Sequence, residues 1–285
     1  ENHITVNDTY INELKKHRGQ QLISNDQALD KASHELRRQN KYQSDPAAKA
    51  IAVHFDSNGV LSESDTIYAT QYAAQLINEI RSQIGSPLVK INTGSIAIAQ
   101  NVATTYVNDH MNAYVGHDHK ALTSIGNNWN TTIIESNGGD YGFSKDNPTT
   151  SDTIEDSNYQ GLTRDDLQKG LYNIIRAFLF SDSFQDYGHT TDILGLRYTS
   201  DYDTPSNKNY MNYGNNGGIY LGVSFEYDPS DQPVEWAGQT FIHPGTFHFI
   251  SEWDPDSAYA KVVEQHVEHP ETGNEKYRQS QWRQE

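Results

Sequence analysis

The chain has 285 residues, a formal net charge of −17 at pH 7 and no cysteine. Its length is sufficient for one sizeable hydrophobic core, whereas the absence of cysteine excludes disulfides, thiolate metal ligands and a cysteine nucleophile. The acidic balance argues against a nucleic-acid partner, because phosphate binding needs clustered Lys and Arg, and the sequence contains no stretch of about 18 apolar residues that would predict a transmembrane helix.

The first part of the chain, residues 1–61, is polar and predicts no core of its own. Two weak helical stretches fall around Tyr10–His17 and Asp26–Gln39, and their apolar residues are sparse. Two interpretations stay open: the end of a stalk or coiled coil, or a lead-in that packs against a neighbouring domain. Residues 1–61 are therefore predicted to be a polar helical lead-in or the end of a stalk.

Three amphipathic helices are predicted within residues 62–252, which we interpret as the folded domain. Apolar residues recur at helical spacing over residues 62–84, 95–111 and 163–178. The first and third of these helices open with capping-box patterns. Residues 115–162 are rich in Gly, Asn, Asp, Ser and Thr, and they predict a long irregular region.

Strands are predicted late in the chain. Ile219–Tyr227 is typical of a strand, and Thr240–His243 and Thr246–Ile250 are shorter candidates on either side of a Pro-Gly turn. Residues 253–285 are charged and polar, which predicts a C-terminal linker or helical extension. Helices followed by strands predict a layered α/β fold over residues 62–252.

Four residues in predicted loops could carry chemistry: His117, Glu135, Asp186 and His189. Two imidazoles and two carboxylates are sufficient to hold Zn²⁺ or a similar cation, or to perform general acid–base catalysis. Spacing alone leaves a second interpretation open, in which these are exposed loop residues. The Gly-x-Ser-x-Gly motif of a serine nucleophile is absent.

Five segments of the chain occur in an order that is typical of a known family. The segments are Leu76–Arg81 with Gly85–Leu88, Val115–His117, Ile134–Asn137, Phe180–Asp182 with Gly188–Gly195, and Tyr220–Phe225. In this order they resemble the CAP superfamily (cysteine-rich secretory, antigen 5 and pathogenesis-related proteins) in its bacterial form. The resemblance covers roughly residues 65–228 and is strongest to the Gram-positive, wall-anchored surface exclusion protein family.

This resemblance implies an α-β-α layered, CAP-like sandwich with polar helical flanks and a cavity lined by two His and two acids. Residue by residue, these are His117, Glu135, Asp186 and His189. We expect them to be the catalytic residues and the ligands of a divalent cation (Zn, Ca or Mg). The chain departs from the family pattern at Asp186, which is one methylene shorter than the usual Glu, and at Asp118, which replaces Asn. No Gly precedes Glu135.

The resemblance also implies a function outside the cell. It predicts a protein displayed on the cell wall of a Gram-positive bacterium, acting in cell-surface contact or in surface exclusion, which limits conjugative plasmid transfer. The expected partner is a cell-surface protein or peptide on the same or a neighbouring cell. Two alternatives remain: a metal-dependent, peptidase-like hydrolase that uses the His/acid cavity, and a domain that binds a lipid or other small ligand.

Other histidines have simpler interpretations. His119 and His110 are alternatives to His117 as the first site histidine, and His110 is expected to face solvent at the end of its helix. His243 and His248 fall in the late strand region, where we expect satisfied, partly buried histidines rather than ligands.

Overall fold

The secondary structure of the chain is taken from a computed structural model that describes residues 1–18, 26–143, 162–196, 220–227, 233–241, 244–252, 261–263 and 282–284. The helices are α1 (Asp8–Arg18), α2 (Gln27–Gln39), α3 (Pro46–Lys49), α4 (Glu63–Ile84), α5 (Thr93–Asn108), α6 (His119–Asn128), α7 (Arg164–Phe180) and α8 (Gly188–Ile193), with a 3-10 helix at Ser183–Gln185. The strands are β1 (Ile133–Gly138), β2 (Tyr220–Tyr227), β3 (Val234–Trp236), β4 (Gln239–Phe241), β5 (Gly245–Glu252), β6 (Lys261–Val263) and β7 (Trp282–Gln284).

The chain divides into two compact units. The first unit draws on Glu1–Gln43, Gln75–Val89 and Ile175–Ile219, and the second unit on Ser44–Ala74, Lys90–Ile174 and Tyr220–Glu285. Helices α4 and α7 each contribute residues to both units. Among the described residues, no helix has the length and apolar character needed to cross a membrane.

A three-stranded antiparallel sheet forms the centre of the second unit. Its strand order is β1-β5-β2, so β5 pairs with both neighbours. Successive side chains of a strand point to opposite faces, and the register places Glu135 and Gly222 opposite Ile250. One face therefore carries Glu135, Gly222 and Ile250 together with His248, and the other carries an aromatic group.

Helix α5 packs on the face that carries Ile250. It starts with a capping box in which Asn92 accepts the Ser95 N–H at 2.8 Å. Gly222 permits the close approach, because a Cβ there would lie 2.1 Å from the carbonyl oxygen of Ser95. The buried cluster formed between α5, α6 and the sheet consists of Ile98, Ala99, Val102, Tyr106, Ile125 and Ile250.

The opposite face of the sheet is aromatic and is covered by α7. The ring of Phe225 lies 4.8 Å from that of Phe143 and 4.7 Å from that of Phe247, between centroids. A Cβ on Gly170 of α7 would lie 3.2 Å from the Phe247 ring. Helices on both faces of one sheet make an α-β-α sandwich, which confirms the predicted fold class.

A buried ion pair joins the N-terminal turns of α4 and α7 in the second unit. Arg164 donates to Asp65 at 3.1 Å, and its guanidinium lies 4.3 Å from the centroid of the Tyr68 ring. Asp166 accepts the Thr163 N–H while the Thr163 hydroxyl oxygen accepts the Asp166 N–H, so the predicted capping box of α7 is present. At α4 the Ser62 hydroxyl oxygen accepts the Asp65 N–H, but the Ser62 N–H donates to the His54 carbonyl, so that capping box is only half formed. These contacts fix where the two helices begin.

The N-terminal segment packs within the first unit. The Tyr10 hydroxyl donates to the Leu179 carbonyl at 2.8 Å, and Leu14, Leu29 and Leu36 are buried. The assignment of residues 1–61 to a polar lead-in or the end of a stalk stays a prediction. The predicted helices around Tyr10–His17 and Asp26–Gln39 are confirmed as α1 and α2.

The predicted irregular region 115–162 is wrong in its first part, which contains α6 and β1. Asp118 accepts the Ala121 N–H at 3.2 Å and so starts α6. Strand β1 was not predicted because its side chains are largely polar, and a polar composition is typical of loops. Residues 144–161 of that region lie outside the described residues.

The remaining helix and strand predictions have clear outcomes. The three long predicted helices are confirmed as α4, α5 and α7, and the late strands as β2, β4 and β5, with ends displaced by a few residues. Near the C-terminus, β6 and β7 pair as antiparallel strands where a linker or helix was predicted. His243 lies outside the described residues.

The close approach at Gly222 generates a stability prediction. We expect Gly222→Ala to lower the free energy of unfolding by at least about 2 kcal/mol, because the new methyl group would overlap backbone atoms of α5 that cannot rotate away. Chemical denaturation measures the change. Gly188→Ala is the matched control, since no heavy atom lies within 4 Å of a Cβ at that position; equal stabilities for the two variants would contradict the prediction.

Candidate functional site

The first candidate dyad, His117 with Glu135, lies in the second unit between α5 and β1. The segment that carries His117 connects α5 to α6 and is held at two points. The Asn137 side chain donates to the Gly116 carbonyl at 3.1 Å, and the Asp118 N–H donates to the Tyr106 hydroxyl oxygen at 2.8 Å. These bonds place His117 beside Glu135, so the structure brings these two predicted site residues together.

The Glu135 carboxylate accepts three side-chain hydrogen bonds. Oε1 accepts from His117 Nδ1 at 2.6 Å and from the Tyr106 hydroxyl, and Oε2 accepts from His248 Nδ1 at 2.7 Å. Burial alone would raise the pKa of Glu135, but the bonds from His117, His248 and Tyr106 and the His248 charge lower it to about 2. Glu135 is therefore ionised at neutral pH.

The charge on Glu135 determines which nitrogen of His117 carries the proton. A carboxylate can only accept, so His117 Nδ1 is the donor and Nε2 of the neutral ring has a free lone pair. The His117 side chain is 35% exposed, whereas that of Glu135 is 1% exposed. A partly exposed imidazole with one nitrogen held by a buried carboxylate has the arrangement that a general base requires.

His248 and Glu226 continue this cluster into the core. His248 Nε2 lies 2.7 Å from Glu226 Oε2, and the His248 side chain is fully buried. Burial would lower the pKa of His248, but Glu226 and Glu135 raise it to about 10. Burial raises the pKa of Glu226 to about 7, against the opposing effect of His248. His248 is thus an imidazolium between two buried carboxyl groups.

The second candidate dyad lies in the first unit and pairs His189 with Asp182. His189 Nδ1 donates to Asp182 Oδ1 at 2.8 Å, and the His189 ring stacks on Phe178 at a centroid distance of 4.6 Å. Asp182 Oδ2 also accepts the backbone N–H groups of His189 and Thr190. His189 therefore resembles His117 in that its Nδ1 donates to a buried carboxylate.

Asp186, predicted as the second acid, contacts a different histidine. Its Oδ1 lies 3.3 Å from Nε2 of His17, whose Nδ1 lies 3.3 Å from Asp26. Asp186 and Tyr187 both have left-handed backbone conformations, with φ of 50° and 59°. In the first unit the acid that accepts the hydrogen bond from His189 is Asp182. Asp182 lies in one of the segments that resemble the CAP superfamily, but the sequence alone does not assign it to the site.

The other candidate histidines differ in exposure and in their contacts. His110 is exposed at the end of α5, as expected, and His119 is exposed with its ring centroid 5.9 Å from that of His117. His248 is satisfied, as expected, but its bond to Glu135 was missed. No local pattern signals that bond, because it depends on the pairing of β1 with β5. The convergence of His117 and Glu135 with Asp186 and His189 stays a prediction.

The donor atoms around Glu135 are occupied by hydrogen bonds. Both oxygens of Glu135 and both nitrogens of His248 already take part in hydrogen bonds. Within the described ranges, no group of three or more His, Asp or Glu is placed to hold a metal ion. We therefore derive no chemical step through a metal, and cation binding stays a prediction.

Comparison with proteins of known structure identifies the fold. The CAP domain of enterococcal PrgA matches this chain with a TM-score of 0.53 and 18% sequence identity, over 96% of this chain and 98% of that domain. The chain has a CAP-domain fold. No family model matches the sequence, and no curated protein is similar to it. His117 and Glu135, 18 positions apart, come into contact because the loop after α5 is hydrogen-bonded to β1 through Asn137 and Gly116.

The raised pKa of Glu226 generates a pH prediction for this CAP-like domain. The folded state retains the Glu226 proton from its ordinary pKa of 4.5 up to about 7, so this group stabilises the fold most at low pH. Between pH 4.5 and 6.5, wild type should lose about 2 kcal/mol of unfolding free energy relative to Glu226→Gln.

Urea titrations of both proteins across this pH range measure the difference. Groups distant from Glu226 contribute equally to both proteins and cancel, whereas the pKa of His248 is raised by Glu226 and therefore differs between the two proteins. A difference that is constant with pH would show that Glu226 does not retain its proton in the folded state.

Proposed function

We propose that this chain is the CAP-like domain of a bacterial surface protein that acts in contact between cells, and specifically in surface exclusion during conjugation. The observation that carries the proposal is the CAP fold shared with the enterococcal PrgA domain over almost the full length of both chains. The ordered sequence segments that resemble the surface exclusion family support the same role. The proposed location is the cell wall of a Gram-positive bacterium.

Exposed apolar side chains in the second unit support a role in contact. Val115, Tyr141 and Trp236 are 63%, 44% and 52% exposed, and the Tyr114 ring lies 5.9 Å from the Trp236 ring. Tyr114 and Val115 directly precede the segment that carries His117. Exposed groups of large apolar side chains are typical of sites that bind other proteins, and the proposed partner is a protein or peptide of the same or a neighbouring cell surface.

A conjugation assay tests the proposal. Recipient cells that display the chain on their wall should receive a conjugative plasmid less often than cells that display an unrelated domain. Val115→Ser/Trp236→Ser should restore transfer, because it removes the apolar contact surface.

The matched control is Phe184→Ser, which removes an apolar side chain that is 71% exposed in the first unit. This variant should exclude donors as well as wild type does. Equal transfer into cells with and without the displayed chain would refute surface exclusion.

Hydrolysis is a second candidate function, favoured by the His117–Glu135 dyad. In this proposal, His117 Nε2 accepts a proton from water while the water oxygen attacks a peptide carbonyl carbon. His117 then donates that proton to the leaving amine as the C–N bond breaks. Glu135 holds the ring in the required tautomer and balances the imidazolium that forms between the two steps.

Peptide cleavage by purified variants tests this candidate. We expect His117→Ala to lower kcat/KM at least about 100-fold, the usual contribution of a general base. His119→Ala should leave cleavage unchanged, because His119 is exposed close to His117 and no hydrogen bond to a carboxylate is seen for it among the described residues. Cleavage by His117→Ala at the wild-type rate would exclude this dyad, and loss of wild-type activity on chelation would show that the predicted cation takes part.

A further inference from the structure

The cluster around Glu135 is a continuous row of side chains across the sheet. Glu226 lies on β2, His248 on the central strand β5 and Glu135 on β1, so each strand supplies one member. His248 pairs in register with Ser224 and Asn137, which places Glu226 and Glu135 diagonally on either side of it. Diagonal neighbours on one sheet face are within reach of long side chains. The row ends at His117.

We propose that His248 and Glu226 are positioning residues that act through Glu135 to fix the ring orientation and tautomer of His117. The inference rests on the proposed use of His117 Nε2. His248 is fully buried and both of its ring nitrogens are bound, so it cannot itself contact a substrate. Its effect on an external ligand has to pass through Glu135.

The geometry gives His248 a specific task at Glu135. A Glu side chain has three rotatable bonds, and a carboxylate bound only through Oε1 could turn about the last of them. The 2.7 Å bond from His248 Nδ1 holds Oε2, which leaves Oε1 directed at His117 Nδ1 and the Tyr106 hydroxyl. Glu226 holds His248 in turn through Nε2. His117 is thereby oriented from the core, although its own ring is partly exposed.

Two substitutions of His248 separate the two bonds. The amide nitrogen of Asn occupies nearly the position of a histidine Nδ1, and that of Gln nearly the position of Nε2. His248→Asn therefore keeps a donor for Glu135 and loses the bond to Glu226. His248→Gln does the reverse. Each variant is a control for the other, because both remove the imidazole and its charge from the same place in the core.

The readout is the tautomer of His117, measured from the two imidazole ¹⁵N chemical shifts by NMR. Wild type should show the proton on Nδ1 of His117. His248→Asn should retain this signature, and His248→Gln should lose it to a mixture of the two tautomers. His119→Ala assigns the neighbouring ring, and unchanged aromatic proton shifts verify folding. This readout needs neither a substrate nor a transfer assay, so it stands apart from the tests of the proposed function.

Two results would overturn the proposal. The first is an unchanged Nδ1–H signature of His117 in both His248 variants, which would make His248 a structural residue only. The second needs wild type alone and applies if the variants do not fold. The row requires slowly exchanging protons on His248 Nδ1, His248 Nε2 and His117 Nδ1, and absence of the His248 Nδ1 proton would exclude its bond to Glu135.

Discussion

The ionised Glu135 carboxylate in the core of the second unit is the constraint on which the candidate site depends. An isolated buried carboxylate is strongly unfavourable, so it must be paired and hydrogen-bonded. Here the pairing comes from three separate elements: Tyr106 on α5, His117 on the loop after α5, and His248 on β5. Burial and the Glu135 charge raise the pKa of Tyr106, so its hydroxyl remains a donor. Each of these three donors is needed to keep the buried Glu135 carboxylate hydrogen-bonded.

The two faces of the sheet differ: one is aromatic, and the other carries both apolar packing residues and the polar cluster. The aromatic face, with Phe225 and Phe247, packs against α7. On the other face, Ile250 contacts the apolar side of α5 and His248 lies two residues earlier on the same strand. The close approach at Gly222 brings α5 onto this face, and Tyr106 near the end of α5 then meets Glu135. The packing of α5 against Gly222 and Ile250 thus positions Tyr106 beside Glu135 at the other end of the same face.

Sequence patterns revealed the elements whose apolar residues repeat, and they missed the polar strand at the site. Helices α4, α5 and α7 have helical periodicity, and in β2 apolar or aromatic residues alternate with Gly222, Ser224 and Glu226. Strand β1 reads Ile-Ile-Glu-Ser-Asn-Gly, and its buried Glu135 and Asn137 are polar residues that composition assigns to loops. The contacts of His248 and Asp182 also escaped prediction. The first depends on the register of β5, and the second spans a 3-10 turn without a spacing rule.

The two His–carboxylate dyads have the same local form, but one depends on contacts within a short segment and the other on the pairing of distant strands. Asp182 lies seven residues before His189 and is held by backbone N–H groups at the start of α8, so that dyad forms within one short segment. Glu135 and His248 are 113 residues apart and meet only when β1 pairs with β5. Local bonds survive small movements of neighbouring strands, whereas bonds across a sheet are lost when the strand pairing changes. The orientation of His117 is therefore tied to the integrity of the sheet, and that of His189 to a single turn of chain.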